Sequence, residues 1–133
     1  MSIYLFFNGQ ARSALNFYAE VLGGEIEHVL TYADMPEPPP LPREKHHWLM
    51  HGHLTSSYAE IMVSDRDGPE APINYMGFAI EIDDEDPGIA HHLFLRLSDR
   101  GEVILPFAPN FWAQGFGTCR DRFGVPWMIN CDR

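Results

Sequence analysis

The sequence predicts an α+β fold made of two βαβββ modules in tandem. Three observations predict it: a helix, a glycine stop and a strand occur in the same order twice, a short apolar strand precedes each helix, and three further strand-like segments follow each helix. The first module covers about residues 1–66 and the second about residues 72–133. Because the whole chain has the length of one domain, we predict a single domain over residues 1–133.

The two helices are predicted from apolar residues at helical spacing. The first helix stops at the glycine pair 23–24, after which the sequence alternates like a strand. The second helix starts at Pro87 behind the acidic segment 83–86, since proline and acidic residues favour the first turn. The apolar residues are Ala14, Phe17, Tyr18 and Val21 in the first helix and Ala90, Leu93, Phe94 and Leu97 in the second.

The strands are predicted from short apolar or alternating segments between turn residues. A segment with five prolines, residues 35–42, is predicted to form an exposed polyproline II loop, with a docking segment as the alternative. The predicted strands cover residues 3–8, 24–32, 47–55 and 58–64 in the first module and 75–83, 101–107, 114–120 and 125–131 in the second.

Composition and charge narrow the classes of function. The chain has 9 Lys and Arg against 19 Asp and Glu, a net charge of −10, so we expect neither nucleic acid nor a membrane surface as a partner. Its apolar segments are much shorter than the roughly 18–20 residues of a spanning helix. Cys119 and Cys131 are predicted to be reduced thiols, and no signal-peptide pattern is present, so we expect a cytoplasmic protein.

Local motifs along nearly the whole chain carry a family resemblance. They lie at residues 4–9, 14, 17–18, 22–24, 50–54, 61–65, 111–112, 115–117, 121–124 and 127–130. These segments resemble the PhnB-like branch of the vicinal oxygen chelate superfamily, which holds glyoxalase I, extradiol dioxygenases and bleomycin-resistance proteins. The resemblance implies a glyoxalase-like curved mixed sheet enclosing a cleft, and a homodimer. It does not imply one reaction, because a fold can support many chemistries.

The resemblance also allows a test for a metal site. It implies that metal-dependent members hold a divalent ion with His and Glu side chains from the first and last strand of each module. The positions that match here are Ile3, Glu60, Gly77 and Met128. Only Glu60 carries a suitable ligand atom, so we predict no metal site of this type and no cofactor.

A His–Glu pair is the first candidate functional feature. If residues 55–58 form a two-residue hairpin turn, His53 lies opposite Glu60 and His51 opposite Met62, and all three polar side chains share one face. A carboxylate beside an imidazole favours the protonated ring and suits a general acid or base. Three interpretations stay open: a structural hydrogen bond, a ligand contact, and a role in proton transfer or metal binding.

Aromatic side chains are the second candidate feature. Trp112 and Phe116 are predicted to line the cleft, where they would stack on a flat or cationic ligand, with core packing as the alternative. Phe7 is predicted to form part of an apolar cleft floor, and Trp127 to lie in the core.

These features together predict a protein that binds a small organic molecule without a metal ion. The acidic net charge favours a polar or cationic ligand. The alternative is an enzyme that uses Glu60 and His53 as acid–base residues or in a non-standard divalent metal site, and a third possibility is a structural or regulatory dimer. The predicted contacts are Glu60, His53, His51, Trp112, Phe116 and Phe7.

Overall fold

The computed structural model describes residues 1–68 and 73–133 and confirms the α+β fold with two βαβββ modules. The chain divides into two compact units, Met1–Ile73 and Asn74–Arg133. Each unit contains a four-stranded mixed sheet. The predicted start of the second module near residue 72 lies outside the described residues, and the single domain stays a prediction.

The first unit places its last strand in the interior of its sheet. The strand order is β1-β4-β3-β2, with β1 parallel to β4 and the other pairs antiparallel. Two short 3₁₀ helices, Tyr32–Asp34 and Arg43–Lys45, lie between β2 and β3. The main elements are β1 (Ile3–Phe7), α1 (Ala11–Leu22), β2 (Glu25–Thr31), β3 (Leu49–Thr55) and β4 (Glu60–Asp65).

Helix α1 follows the predicted apolar pattern and stops at the predicted glycine. Ala14 and Tyr18 are fully buried, one turn apart on the face that packs against the sheet. Gly23 ends the helix in the left-handed conformation, with φ of 68°, which favours glycine. The helix and the sheet therefore enclose the core of the first unit.

The two faces of the first sheet differ because side chains alternate along each strand. The face under α1 carries the buried Leu5, Leu54, Ile61 and Val63. We call the opposite side the open face of the first sheet, and its members on β1, β3 and β4 are Tyr4, Phe6, His51, His53, Thr55, Glu60 and Met62.

The second unit repeats this topology. Its strand order is β5-β8-β7-β6, with β5 parallel to β8. Strand β5 begins at Ile80 rather than at the predicted residue 75, because the preceding segment is irregular and Gly77 has a positive φ of 81°. The elements are β5 (Ile80–Asp83), α2 (Pro87–Ser98), β6 (Glu102–Ala108), β7 (Ala113–Arg120) and β8 (Pro126–Asp132).

The second sheet also has a helix-covered face and an open face. Trp127 is fully buried, as predicted, and its Nε1 donates to Asp121 Oδ2 at 2.9 Å. The open face of the second sheet carries Glu81, Asp83, Phe116, Thr118, Met128, Asn130 and Asp132. No helix in the described parts of the chain is both long and apolar enough to cross a membrane.

Candidate functional site

The turn between β3 and β4 sets the geometry of the His–Glu pair. Ser56 N–H donates to Ala59 O at 3.1 Å, so the two central turn residues are Ser57 and Tyr58. The Ser56 hydroxyl accepts from Tyr58 N–H and Ala59 N–H, both at 3.1 Å, and so fixes this turn. The predicted turn, one residue earlier, was therefore wrong.

This displacement of the turn moves the strand register by two residues. His53 lies opposite Met62, and Glu60 lies opposite Thr55. The predicted direct pairing of His53 with Glu60 and of His51 with Met62 was wrong. Because the shift is an even number of residues, every side chain keeps its predicted face.

His53 and Glu60 nevertheless touch across the diagonal of the strand pair. His53 Nε2 and Glu60 Oε1 are 2.9 Å apart, and the two side chains are 22% and 46% exposed. Since a carboxylate only accepts, this contact keeps a hydrogen on Nε2 of His53. In the neutral ring, Nδ1 then carries the lone pair and can accept a hydrogen bond or a proton.

His51 has a partner that the sequence did not predict. Tyr4 Oη and His51 Nδ1 are 2.9 Å apart, joining β1 to β3 across β4. Burial raises the pKa of Tyr4, so its hydroxyl keeps its hydrogen at neutral pH. The Tyr4 ring also stacks on Phe6, with centroids 5.1 Å apart. Alternation along β1 could have placed Tyr4 and Phe6 on one face, but not beside His51, because that contact depends on which strands are neighbours.

A third imidazole belongs to the same group. His28 on β2 pairs with His53, and their rings stack at 6.1 Å between centroids, while the rings of His51 and His53 lie 6.4 Å apart. A bulge between Ile26 and His28 changes the alternation of β2, so His28 could not be assigned to this face from the sequence.

Phe7 lies on the other side of the sheet. It is 2% exposed and pairs with Asp65 on the face that α1 covers. The prediction that Phe7 lines the cleft with Ile3 and Leu5 was wrong, because alternation along β1 places Tyr4 and Phe6 on the open face instead.

The four positions matched to the family's metal ligands do not fit a divalent ion, and the match at Ile3 was wrong, because Ile3 and Glu60 lie on opposite faces of the sheet. Ile3 is apolar and points to the helix side, Gly77 lies in the irregular segment before β5, and Met128 offers only a thioether. Glu60 alone has a suitable carboxylate. Within residues 1–68 and 73–133, no three His, Cys, Asp or Glu side chains are arranged to hold a metal ion.

In the second unit, Trp112 and Phe116 come together next to β7. Their ring centroids are 5.4 Å apart in an edge-to-face arrangement, and the Phe111 ring lies edge-to-face with Trp112 at 4.9 Å between centroids. Trp112 is 48% exposed and so lies outside the buried core. Its backbone is held by a hydrogen bond of 3.0 Å from Trp112 N–H to Asn110 Oδ1.

The fold and these motifs agree with the comparisons to known proteins. The chain belongs to the glyoxalase/bleomycin resistance protein/dioxygenase superfamily, whose family model matches residues 2–129. It is 30% identical over 138 residues to protein YjdN of Escherichia coli strain K12, a match that covers 98% of this chain and 93% of YjdN.

Two solved structures have a similar fold. Protein PA1353 from Pseudomonas aeruginosa is similar with a TM-score of 0.86 and 37% identity, covering 99% of this chain and 96% of that protein. The putative 3-demethylubiquinone-9 3-methyltransferase, PhnB protein, from Bacillus cereus has a TM-score of 0.81 and 21% identity, covering 98% of each chain, and this likeness shows the fold alone. The predicted resemblance to the superfamily is confirmed by the family model, and the PhnB-like branch stays a prediction.

Proposed function

We propose that the protein binds a small organic molecule, without a metal ion, on the open face of the first sheet. The observation that carries this proposal is a row of half-exposed rings whose polar atoms are already fixed by hydrogen bonds. Tyr4 holds His51, and Glu60 holds His53. Fixing such groups before binding reduces the entropy that a ligand must lose.

The ligand class follows from the groups on this face. Tyr4 and Phe6 are 41% and 43% exposed, and Glu60 adds a carboxylate at the edge. The guanidinium of Arg66 already lies 5.6 Å from the Phe6 ring centroid, so this face can hold a cation. Ring faces and a carboxylate together suit a flat molecule with a positive charge. In the second unit, we propose Trp112 and Phe116 as aromatic contacts of the same chemical type.

Binding without a metal is supported by the donor chemistry of the family's metal positions. Ile3, Gly77 and Met128 offer no hard ligand atom, so Glu60 supplies the one hard ligand among the four matched positions. The methyltransferase activity named for the PhnB protein from Bacillus cereus gives no substrate for this chain. We therefore expect neither metal nor cofactor in the working protein.

We also propose that the working form is a cytoplasmic homodimer. Edge strand β6 exposes Val103, Ile104 and Leu105 by 47%, 54% and 48%, which is typical of a surface that another chain covers. The free thiols of Cys119 and Cys131 suit a reducing compartment, and the net charge of −10 argues against nucleic acid or membranes as partners. Light scattering after size exclusion would show a monomer if the dimer is wrong.

Calorimetry with a charged and a neutral form of one ring tests the binding proposal. The protein is titrated in EDTA with N-methylquinolinium and with quinoline, which share a ring system but differ in charge. We expect tighter binding of the cation and a loss of about tenfold, or 1.4 kcal/mol, in Glu60→Gln. Glu37→Gln, in the exposed loop of the same unit, removes the same charge and should change nothing. Equal weakening in both variants, or binding only after zinc is added, would contradict the proposal.

The enzyme alternative is favoured by the 2.9 Å contact between His53 and Glu60, since a carboxylate on Nε2 holds the ring in the tautomer whose Nδ1 can accept a proton. Deuterium exchange into dihydroxyacetone in D₂O tests it with a simple carbon acid. An enzyme should accelerate exchange at pH 7, and the acceleration should be lost in His53→Ala and in Glu60→Gln.

Titration with zinc, nickel and manganese ions, with His53→Ala as the control, tests the non-standard metal site. Absence of exchange and of stoichiometric metal binding would contradict this alternative.

A further inference from the structure

Two imidazoles on the open face of the first sheet present their edges to a ligand. His53 lies between His28 and His51, with 6.1 and 6.4 Å between the ring centroids. His51 lies in turn between His53 and Tyr4, whose ring centroid is 5.7 Å away. Because both rings have a neighbouring ring on either side, a molecule on the sheet meets their nitrogen-bearing edges. Hydrogen bonds to these nitrogens are directed, so the polarity of each edge decides what binds there.

The edge of His51 is a hydrogen-bond donor. Its Nδ1 is 2.9 Å from Tyr4 Oη. Burial raises the pKa of Tyr4, so the hydroxyl keeps its hydrogen. A phenol is a better donor than an imidazole N–H and a poorer acceptor than an imidazole lone pair, so the hydroxyl donates and Nδ1 accepts. The one hydrogen of the neutral ring then lies on Nε2, which makes no hydrogen bond to any described residue.

The edge of His53 is a hydrogen-bond acceptor. Its Nε2 is 2.9 Å from Glu60 Oε1, and a carboxylate can only accept, so the hydrogen of this ring also lies on Nε2. Nδ1 keeps the lone pair, and no donor among the described residues reaches it. His51 and His53 are therefore the same tautomer, but they are held by opposite nitrogens. One ring is left with a donor for a ligand, and its neighbour is left with an acceptor.

We propose that these two edges select a flat ligand that carries an acceptor and a donor side by side, as a lactam does. Its carbonyl oxygen accepts from Nε2 of His51, and its N–H donates to Nδ1 of His53. The inference rests on the proposed function, since the ligand has to lie on this face. Neighbouring exocyclic bonds on a ring diverge, so a lactam edge reaches groups on two imidazoles whose centroids are 6.4 Å apart. The positive charge proposed above then belongs to another position of the same ring system.

Calorimetry with carbostyril, the lactam of the quinoline ring system, and N-methylcarbostyril tests this selection at pH 8. The methyl compound keeps the rings and the carbonyl but has no N–H. We expect carbostyril to bind at least about tenfold more tightly, because a site with a fixed acceptor rejects a ligand that leaves it unpaired. His53→Phe keeps a ring in the row without an acceptor, so this preference should disappear. His51→Phe should weaken both compounds alike and keep the preference.

A matched control replaces a histidine outside the site. His92 is exposed on α2 of the second unit, so His92→Phe should change neither the affinities nor the preference. Circular dichroism of each variant shows whether it is folded.

Nitrogen-15 NMR of the histidine side chains tests the polarity of the two edges directly in the wild-type protein. A ring nitrogen that carries hydrogen has a different chemical shift from one that carries a lone pair, and at pH 8 an imidazole is ordinarily neutral. We expect the hydrogen on Nε2 in both His51 and His53. Carbostyril should move the signals of His51 Nε2 and His53 Nδ1, and N-methylcarbostyril should leave the latter in place. A hydrogen mainly on Nδ1 of either ring would overturn the proposal.

Three calorimetric outcomes would also overturn it: equal binding of the two lactams, a preference that survives in His53→Phe, or the same loss of preference in His92→Phe. Titration with N-methylquinolinium separates these failures from failure of the proposed function. If the cation binds and neither lactam does, only the polar edge is wrong. If none of the three compounds binds, the site on the first sheet is wrong as well.

Discussion

Asp65 is a buried carboxylate that joins three segments of the first unit. It is 1% exposed and accepts backbone hydrogen bonds from Gly9 at 2.8 Å, Ala11 at 2.9 Å and Leu49 at 3.0 Å. The first two donors lie where β1 leads into α1, and the third starts β3. The end of β4 is therefore held to the start of the helix and of the neighbouring strand.

Replacing this carboxylate should destabilise the fold. In Asp65→Asn an amide nitrogen takes the place of one acceptor oxygen, so a buried N–H loses its partner, at a cost of roughly 1–3 kcal/mol in the free energy of unfolding. Urea denaturation measures the change. Asp67→Asn is the control, because Asp67 makes an exposed ion pair with Lys45 at 2.9 Å, which contributes little. Equal effects of the two substitutions would contradict the role of Asp65.

The two cysteines should be unreactive while the protein is folded. Burial, followed by the charge of Asp121, raises the pKa of Cys119 to about 12, and burial raises the pKa of Cys131 as well. Because only the thiolate is nucleophilic, iodoacetamide at pH 8 should modify neither side chain in buffer and both in urea. Mass spectrometry counts the adducts, and rapid labelling of Cys119 in the folded protein would show this prediction wrong.

At the scale of elements, the approach of α1 to β3 depends on Gly52. A Cβ atom at this position would lie 2.8 Å from Leu15 Cδ2 and 2.9 Å from Val63 Cγ2. We therefore expect Gly52→Ala to cost about 1–3 kcal/mol by overpacking the core. Gly68→Ala is the matched control, since nothing lies within 4 Å of its added Cβ. Thermal melts compare the variants, and an unchanged melting temperature for Gly52→Ala would contradict this close packing.

The elements were predictable where one local pattern decided the structure. Apolar spacing and the stop at Gly23 defined α1, and the Asp86–Pro87 start defined α2. The start of β5 was misplaced because Tyr75 begins an apolar segment that resembles a strand, although the backbone turns at Gly77 before Ile80. An apolar segment is not by itself evidence of a strand.

The candidate site was only partly predictable from the sequence. The contact of His53 with Glu60 was expected, but the register was off by two because Ser56 selects a turn one residue later. Tyr4 was missed because its contact with His51 depends on which strands are neighbours, and that is a long-range property. His28 was missed because a bulge interrupts the alternation of β2.

At the scale of the whole molecule, Glu81 should make stability depend on pH. Partial burial, a hydrogen bond to Asp83 and the charges of Asp83 and Asp132 raise its pKa to about 7 in the folded protein. In the unfolded chain the pKa is near the ordinary 4.5, so the folded state binds an extra proton between these values. Stability is therefore lost as the pH rises from about 4.5 to 7. We expect Glu81→Gln to raise the melting temperature by about 2–4 °C at pH 8 and hardly at pH 4.

Calorimetric melts between pH 4 and pH 8 measure the difference in melting temperature between Glu81→Gln and wild type. Glu102→Gln, which is exposed and removes the same charge, should show no such pH-dependent gain. If the melting temperatures of Glu81→Gln and wild type differ by the same amount at every pH, the pKa of Glu81 is not raised by its neighbours in the folded protein.

The position of the last strand of each unit has a consequence during synthesis on the ribosome. Strand β1 leaves the ribosome early, but its parallel partner β4 comes only after the helix, two strands and the proline-rich loop. At the usual rate of translation this delay lasts several seconds, during which the backbone edge of β1 is open to other chains. The second unit repeats the delay with β5 and β8. The nascent chain therefore has two separate intervals in which holding chaperones would protect it.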